Sequence, residues 1–153
     1  MSYDSAVDTL KHIRRFGEIL HIMIKDLLSR IEDHDTSKLN SPEKEVFDEF
    51  TPKLKGSTYG SEEYKNFLKQ MQQALDHHYS LSKHHPEHYP QGINDMDLLD
   101  LIEMLCDWKA ASERHANGNI YDSIKINKPR FGMSDQLEQI FLNTARRYFN
   151  GSK

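Results

Sequence analysis

A histidine and an aspartate stand next to each other at His34 and Asp35, and Lys38 follows three residues later. Divalent transition metals accept imidazole nitrogen and carboxylate oxygen together, and near a helix end one ion can contact both side chains. Lys38 lies about one helical turn after Asp35, so its ammonium could reach an anion bound at that ion. The alternative interpretation is a helix C-terminus that carries a loose cluster of charges.

Histidines are concentrated in the middle of the chain. Seven of the nine lie between residues 34 and 115, and five of these fall within residues 77–88. The doublets His77-His78 and His84-His85 are seven residues apart, so their members share a face if one helix carries both. Clustered imidazoles indicate metal or anion binding, because they repel one another when protonated. The alternative is an exposed, histidine-rich helix end, and which members of the doublets are ligands stays open.

A further histidine, His21, lies beside the apolar stripe of the first predicted helix. Gly17, one turn before it, leaves room for another group, and Arg14 lies two turns before it on the same side. His21 is therefore a candidate for the site, and the alternative is a histidine satisfied within the core.

Three carboxylates, Asp100, Glu103 and Asp107, follow one stripe of a later helix whose other positions are almost all apolar. That composition predicts a largely buried helix, and buried carboxylates are costly unless they are paired or bind a metal. Asp107 is the ligand candidate, and Glu103 and Asp100 could orient histidines. The alternative is that the stripe faces solvent. Cys106, on the same helix, is expected to be inert packing.

Helical periodicity runs through almost the whole sequence, which predicts an all-α fold of about five helices in a single domain over residues 1–153. The second helix is expected to be short and to begin with Asn40 or Ser41 as its cap and Glu43 as a capping partner. The remaining predicted elements are helices over residues 5–31, 62–83, about 95–116 and 134–149, a loop over residues 55–60, an irregular segment over 84–94 and a looser segment over 119–133.

The net charge of −4, with both signs interspersed, argues against broad nucleic-acid binding, which needs a basic surface. No apolar run has the roughly 20 residues that a membrane span needs. The N-terminal residues do not resemble a signal peptide, and one cysteine gives no internal disulfide, so we expect a cytoplasmic protein. The apolar side of the last helix is most simply core packing and is also compatible with a homodimer face.

The order of these residues resembles the HD superfamily of metal-dependent phosphohydrolases, whose motif is H…HD…D. It also resembles the HDxxK variant, in which the lysine helps hold the substrate phosphate and further histidines join the site. The chain looks closer still to an uncharacterised family of bacteria and phages. The features shared with that family are the HDxSK motif, Tyr59-Gly60-Ser61, the HHPEH segment over residues 84–88 and the segment over residues 100–109.

This resemblance implies an HD-like helical bundle that binds one or two divalent ions (Mn, Fe, Co, Ni, Zn or Mg). It implies hydrolysis of a small phosphate ester, with nucleotides as the expected substrates. The implied metal ligands are His21, His34, Asp35 and Asp107, joined by His78, His84 and His85. Asp35 would orient the attacking water, and Lys38, Arg14 and His84 would stabilise the phosphate. Two alternatives remain: a non-catalytic nucleotide-binding or interaction protein with a structural metal, and a di-iron oxygenase.

Overall fold

The computed structural model describes residues 4–58, 60–114 and 118–150. These residues form seven α-helices and three short 3-10 helices, with no strand among them, which confirms the all-α prediction. The α-helices are α1 (Ala6–Asp33), α2 (Glu43–Gly56), α3 (Glu62–Gln70), α4 (Gln72–Leu81), α5 (Leu98–Ser112), α6 (Ile120–Phe131) and α7 (Asp135–Tyr148). The 3-10 helices span Thr36–Leu39, Pro86–His88 and Gly92–Asp95.

The chain divides into two units, Met1–His34 and Asp35–Lys153. The first consists of α1, a single helix whose apolar side chains follow the stripe that the sequence predicts. Ion pairs one turn apart support it, with Arg14 Nε 3.1 Å from Glu18 Oε1 and Arg30 Nε 3.0 Å from Asp26 Oδ2.

The second unit has its apolar core among α5, α6 and α7. Met104, Ile124, Phe141 and Ala145 are each at most 3% exposed there. Trp108 of α5 extends this core by stacking on the Phe131 ring and meeting Phe141 edge-on, each with ring centroids 6.0 Å apart. Apolar burial of this kind is the main stabilising term of the fold.

On the other side of the second unit, α2 packs against α3 and α4. Phe50 of α2 meets Phe67 of α3 with ring centroids 6.2 Å apart, and Met71 and Ala74 are buried beside them. Short segments then connect α4 to α5, so that α2, α4 and α5 come to frame one polar cluster.

Serine, aspartate and asparagine side chains begin four of the helices by accepting backbone N–H groups. Ser61 and Ser134 cap α3 and α7. Asp97 caps α5, and Asn119 caps α6.

The predicted count of five helices is wrong, for two reasons. The segment over residues 119–133, expected to be loose, forms α6, which accommodates Pro129 in its last turn and ends at Gly132 in the left-handed conformation. The helix predicted over residues 62–83 is divided at Met71 into α3 and α4.

Two predicted boundaries also differ. Residues 55 and 56, expected in a loop, belong to α2, and α5 ends at Ser112 rather than near residue 116. The predicted end of that helix at Ala116, and Tyr59 of the Tyr59-Gly60-Ser61 motif, lie outside the described residues.

Candidate metal centre

Asp35 occupies an unusual backbone position at the start of the second unit. Its φ of 57° makes it the one non-glycine residue with positive φ in the described part of the chain. Aspartate tolerates this conformation better than most residues, and such strain is typical of functional sites. Lys38 Nζ donates to Asp35 Oδ2 over 2.6 Å, which leaves Oδ1 directed elsewhere.

Three histidines face Asp35 Oδ1 or each other. His78 of α4 is 1% exposed and its Nε2 lies 3.2 Å from Asp35 Oδ1. His84 is 3% exposed and its Nε2 lies 3.7 Å from the same oxygen. His85 Nε2 lies 3.1 Å from His78 Nε2. One donor atom from each of these four residues lies within 4.8 Å of all the others.

These separations match those expected of ligands to a shared ion. Nitrogen and oxygen ligands about 2.1 Å from a tetrahedral ion are about 3.4 Å from one another. The distances of 3.1, 3.2 and 3.7 Å lie around this value. The four donor atoms therefore have the spacing and the chemistry of a transition-metal site.

Carboxylates hold the opposite sides of two of the imidazole rings. His78 Nδ1 lies 3.2 Å from Glu43 Oε2, and His84 Nδ1 lies 3.1 Å from Glu103 Oε1. An ionised carboxylate only accepts hydrogen bonds, so these contacts favour the tautomer with the proton on Nδ1, in which Nε2 is the ligand atom that faces Asp35. Metal-binding histidines are oriented in this way by their carboxylate partners.

Glu43 is the residue that the sequence interpretation missed. It was expected to be a capping partner at the start of α2, but its side chain is 0% exposed and contacts His77 and His78. Ser37 Oγ donates to it over 2.9 Å and His77 Nδ1 over 2.8 Å, in addition to its contact with His78. These partners offset the cost of burying a carboxylate. A glutamate in a first turn has an ordinary local explanation, so no sequence signal distinguished it.

Burial and neighbouring imidazoles lower the pKa of His85 from its ordinary value to about 3. Burial is the largest cause, followed by repulsion from His84 and His78. Such a ring stays neutral at neutral pH, which is the state in which imidazole binds metal.

The two histidine doublets contribute different numbers of residues to the cluster. His78, His84 and His85 belong to the cluster, whereas the ring of His77 lies on the far side of Glu43. One helix does not carry both doublets, because α4 ends at Leu81. The chain turns after α4 and returns His84 and His85 toward His78.

The carboxylate stripe of α5 faces inward rather than to solvent. Asp107 is half-buried, and one of its oxygens lies within 4.8 Å of an Asp35 oxygen. Asp100 is 2% exposed, but it accepts hydrogen bonds from Tyr89 Oη and the Asp97 backbone, so its described contacts belong to the start of α5.

The side chains of α5 that are exposed to solvent include the apolar residues Leu98 and Ile102. Cys106, expected to be packed inside, is exposed on the same helix. Partial burial, Glu103 and Asp107 together raise the pKa of its thiol, which disfavours the reactive thiolate.

The remaining predicted site residues lie in the first unit. His21 is exposed and donates from Nδ1 to the Gly17 carbonyl over 2.8 Å. Arg14 is exposed and pairs with Glu18. His34 is half-buried at the C-terminus of α1, where its backbone N–H donates to Arg30. Their roles toward a metal or substrate stay predictions.

A family model described as a family of unknown function, DUF5662, matches residues 1–147, and the chain belongs to that family. No curated protein and no solved structure matches the chain. Among the described helices, none combines the length and the apolar composition that a bilayer crossing requires.

Proposed function

We propose that this member of the family is a metal-dependent phosphohydrolase that acts on a small phosphate ester. The observation that carries the proposal is the convergence of the His78 and His84 Nε2 atoms on Asp35 Oδ1, while carboxylates hold both Nδ1 atoms. Lone pairs and a carboxylate oxygen facing one another call for a cation between them.

The donor set of three imidazoles and one carboxylate suits Mn, Fe, Co, Ni or Zn better than Mg, which prefers oxygen ligands. Bound there, such an ion would lower the pKa of a coordinated water toward 7 and polarise a phosphoryl oxygen. His78, His84, His85 and Asp35 are the proposed ligands. The half-buried carboxylate of Asp107 beside Asp35 would favour a second ion, as the resemblance to binuclear HD proteins implies.

Lys38 has two roles in this proposal. Its ammonium fixes Asp35 Oδ2 at 2.6 Å, so that Oδ1 stays directed at the histidines. The same ammonium lies beside the proposed metal position, where it would attract phosphate oxygens and stabilise charge that develops on them. The Phe47 ring, 5.2 Å below the ammonium, limits where Lys38 can move.

His21, His34 and Arg14 enter the proposal only through the resemblance, as further ligands and as a phosphate-binding cation. Nucleotides are the substrates that the resemblance implies.

One observation favours a second function, a metal site that is purely structural within a binding protein. Four side chains reach one position, and four protein ligands complete the tetrahedral coordination of a structural zinc site, whereas catalytic sites keep one position open. The absorption spectrum of Co²⁺-substituted protein separates the two cases. A catalytic site would change its spectrum when phosphate is added, and a closed site would not.

The test of the main proposal combines metal analysis with turnover. Protein purified without chelator should contain one or two transition-metal ions and hydrolyse para-nitrophenyl phosphate. Asp35→Asn should lose the metal and at least about 1000-fold in kcat/KM, which corresponds to about 4 kcal/mol of transition-state stabilisation.

The matched control is Asp48→Asn, which removes an exposed carboxylate that pairs with Lys44 on α2. It should keep both metal and turnover. Undiminished turnover in Asp35→Asn would contradict the proposal. A metal-loaded protein without turnover, and with a Co²⁺ spectrum insensitive to phosphate, would favour the structural site.

A further inference from the structure

A second candidate binding site is a cavity of about 570 Å³ among α2, α5 and α6. Its volume is typical of sites for small organic molecules, which range from roughly 300 to 1,000 Å³. Aromatic and aliphatic side chains supply much of its wall, including Phe47, Leu54, Trp108 and Ile126. Such walls favour a ligand with a flat apolar body.

One buried polar group in this wall has an unmet hydrogen-bonding requirement. Asn127 of α6 is 4% exposed and lines the cavity. Its Oδ1 atom has no hydrogen-bond partner within the described ranges 4–58, 60–114 and 118–150. A buried carbonyl oxygen that lacks a protein partner is usually satisfied by an ordered water or by a bound molecule. A ligand that satisfies Asn127 must present an N–H or O–H donor.

The charges around the cavity favour an anion. Lys55 and Arg114 line it, and neither forms an ion pair with any other described residue. Asp122 also lines it, but this carboxylate accepts a hydrogen bond from Asn119 Nδ2 over 2.6 Å. The described charged residues of the wall are therefore two cations and one carboxylate, and this excess of positive charge would attract an anionic ligand.

We propose that this cavity binds a small aromatic anion that carries a neutral N–H or O–H donor. The ring would contact Trp108, the donor would reach Asn127 Oδ1, and the anionic group would meet Lys55 or Arg114. Phe47 forms part of both this cavity and the surroundings of His78, whose ring centroid is 6.3 Å from that of Phe47. The inference nevertheless does not require a metal in the histidine cluster.

The protein carries its own probe for the test, because Trp108 is its only tryptophan and lines the cavity. Trp108 fluorescence would be titrated in the intact protein with 4-hydroxybenzoate, which has ring, donor and anion. Benzoate lacks the donor, and phenol lacks the charge. We expect saturable quenching by 4-hydroxybenzoate, with a Kd at least tenfold lower than for either of the other two. Equal affinities for all three compounds, or no saturation by any of them, would overturn the proposal.

Point variants test which residues of the cavity contact the ligand. Asn127→Leu should raise the Kd for 4-hydroxybenzoate to that of benzoate and leave benzoate binding unchanged. Lys55→Ala should weaken binding of both anions several-fold, whereas Lys125→Ala, an exposed lysine on α6 outside the cavity, should not.

If Asn127→Leu does not fold, Asn127→Asp keeps the side-chain shape and should weaken binding of both anions by repulsion. A tenfold preference for 4-hydroxybenzoate that survives Asn127→Leu would refute the role of Asn127. Equal losses in Lys55→Ala and Lys125→Ala would refute the charged end of the site.

Discussion

Two regions of the second unit are equally buried but differ in the interactions that stabilise them. In the core of α5, α6 and α7, Ile124 and Ala145 are 0% exposed, and in the polar cluster Glu43 is 0% and His78 1% exposed. Apolar contacts stabilise the first region. The second depends on hydrogen bonds, on protonation and, under the proposed function, on a cation. Equal burial therefore does not imply equal dependence on pH and metal.

The largest expected effect is in the apolar core. Ile124→Ala should lower the free energy of unfolding by about 3 kcal/mol, because it removes buried methyl groups and leaves a cavity. Urea unfolding with and without chelator should give the same loss, since the core does not depend on metal. Ile140→Ala is the matched control, because Ile140 is 51% exposed and should cost far less. A loss that differed between the metal-loaded and metal-free protein would break the distinction between the regions.

A smaller effect should follow from changing the polar cluster without changing its volume. Glu43→Gln removes the charge that orients His78 and should weaken metal binding by about 10- to 100-fold, or roughly 1.4–2.7 kcal/mol. Competition with a coloured chelator would measure the metal affinity directly.

The control for this change is Glu45→Gln in the same turn of α2. Glu45 accepts a hydrogen bond from Ser41 and lies outside the cluster, so its variant should bind metal as the unmodified protein does. Equal metal affinities in the two variants would show that Glu43 does not position His78.

The same contrast explains what could be predicted from sequence. Apolar periodicity predicted α7 to within one residue at each end and α1 to within two, because these features depend on local rules. The segment over residues 119–133 was predicted to be loose, but it forms α6, because a proline in the last turn of a helix leaves most of that helix intact. Local rules therefore described the apolar elements well and failed mainly at helix breaks.

The polar cluster was predictable only in part. Asp35, His78 and Asp107 were found from their residue types, but Glu43 was assigned to a cap because its neighbours in sequence explained it. The sequence put His78 and His85 on one face only if one helix carried both, whereas the chain turns between them after Leu81. Tertiary contacts, including the left-handed backbone at Asp35, decide these positions, and one sequence does not encode them in a local pattern.

The smallest expected effect is a change of stability with pH, which tests whether His85 is held in the neutral form that binds metal. Folding lowers the pKa of His85 from 6.5 to about 3. Between these values the unfolded chain holds a proton on this ring that the folded protein lacks, so the stability contribution present above pH 6.5 is lost as the pH falls. From pH 6 to pH 5, metal-free protein should lose about 1 kcal/mol of unfolding free energy through His85 alone.

Urea unfolding of His85→Gln at the same two pH values would isolate this contribution, because the variant should lose about 1 kcal/mol less than the unmodified protein. His12→Gln, which removes an exposed histidine of α1, should keep the full loss. If His85→Gln kept it as well, the ring would be protonated to the same extent in both states and would be no better prepared for a metal than an exposed histidine. The loss of stability in mild acid would then come from other titratable groups, and the proposed metal centre would lose one of its physical supports.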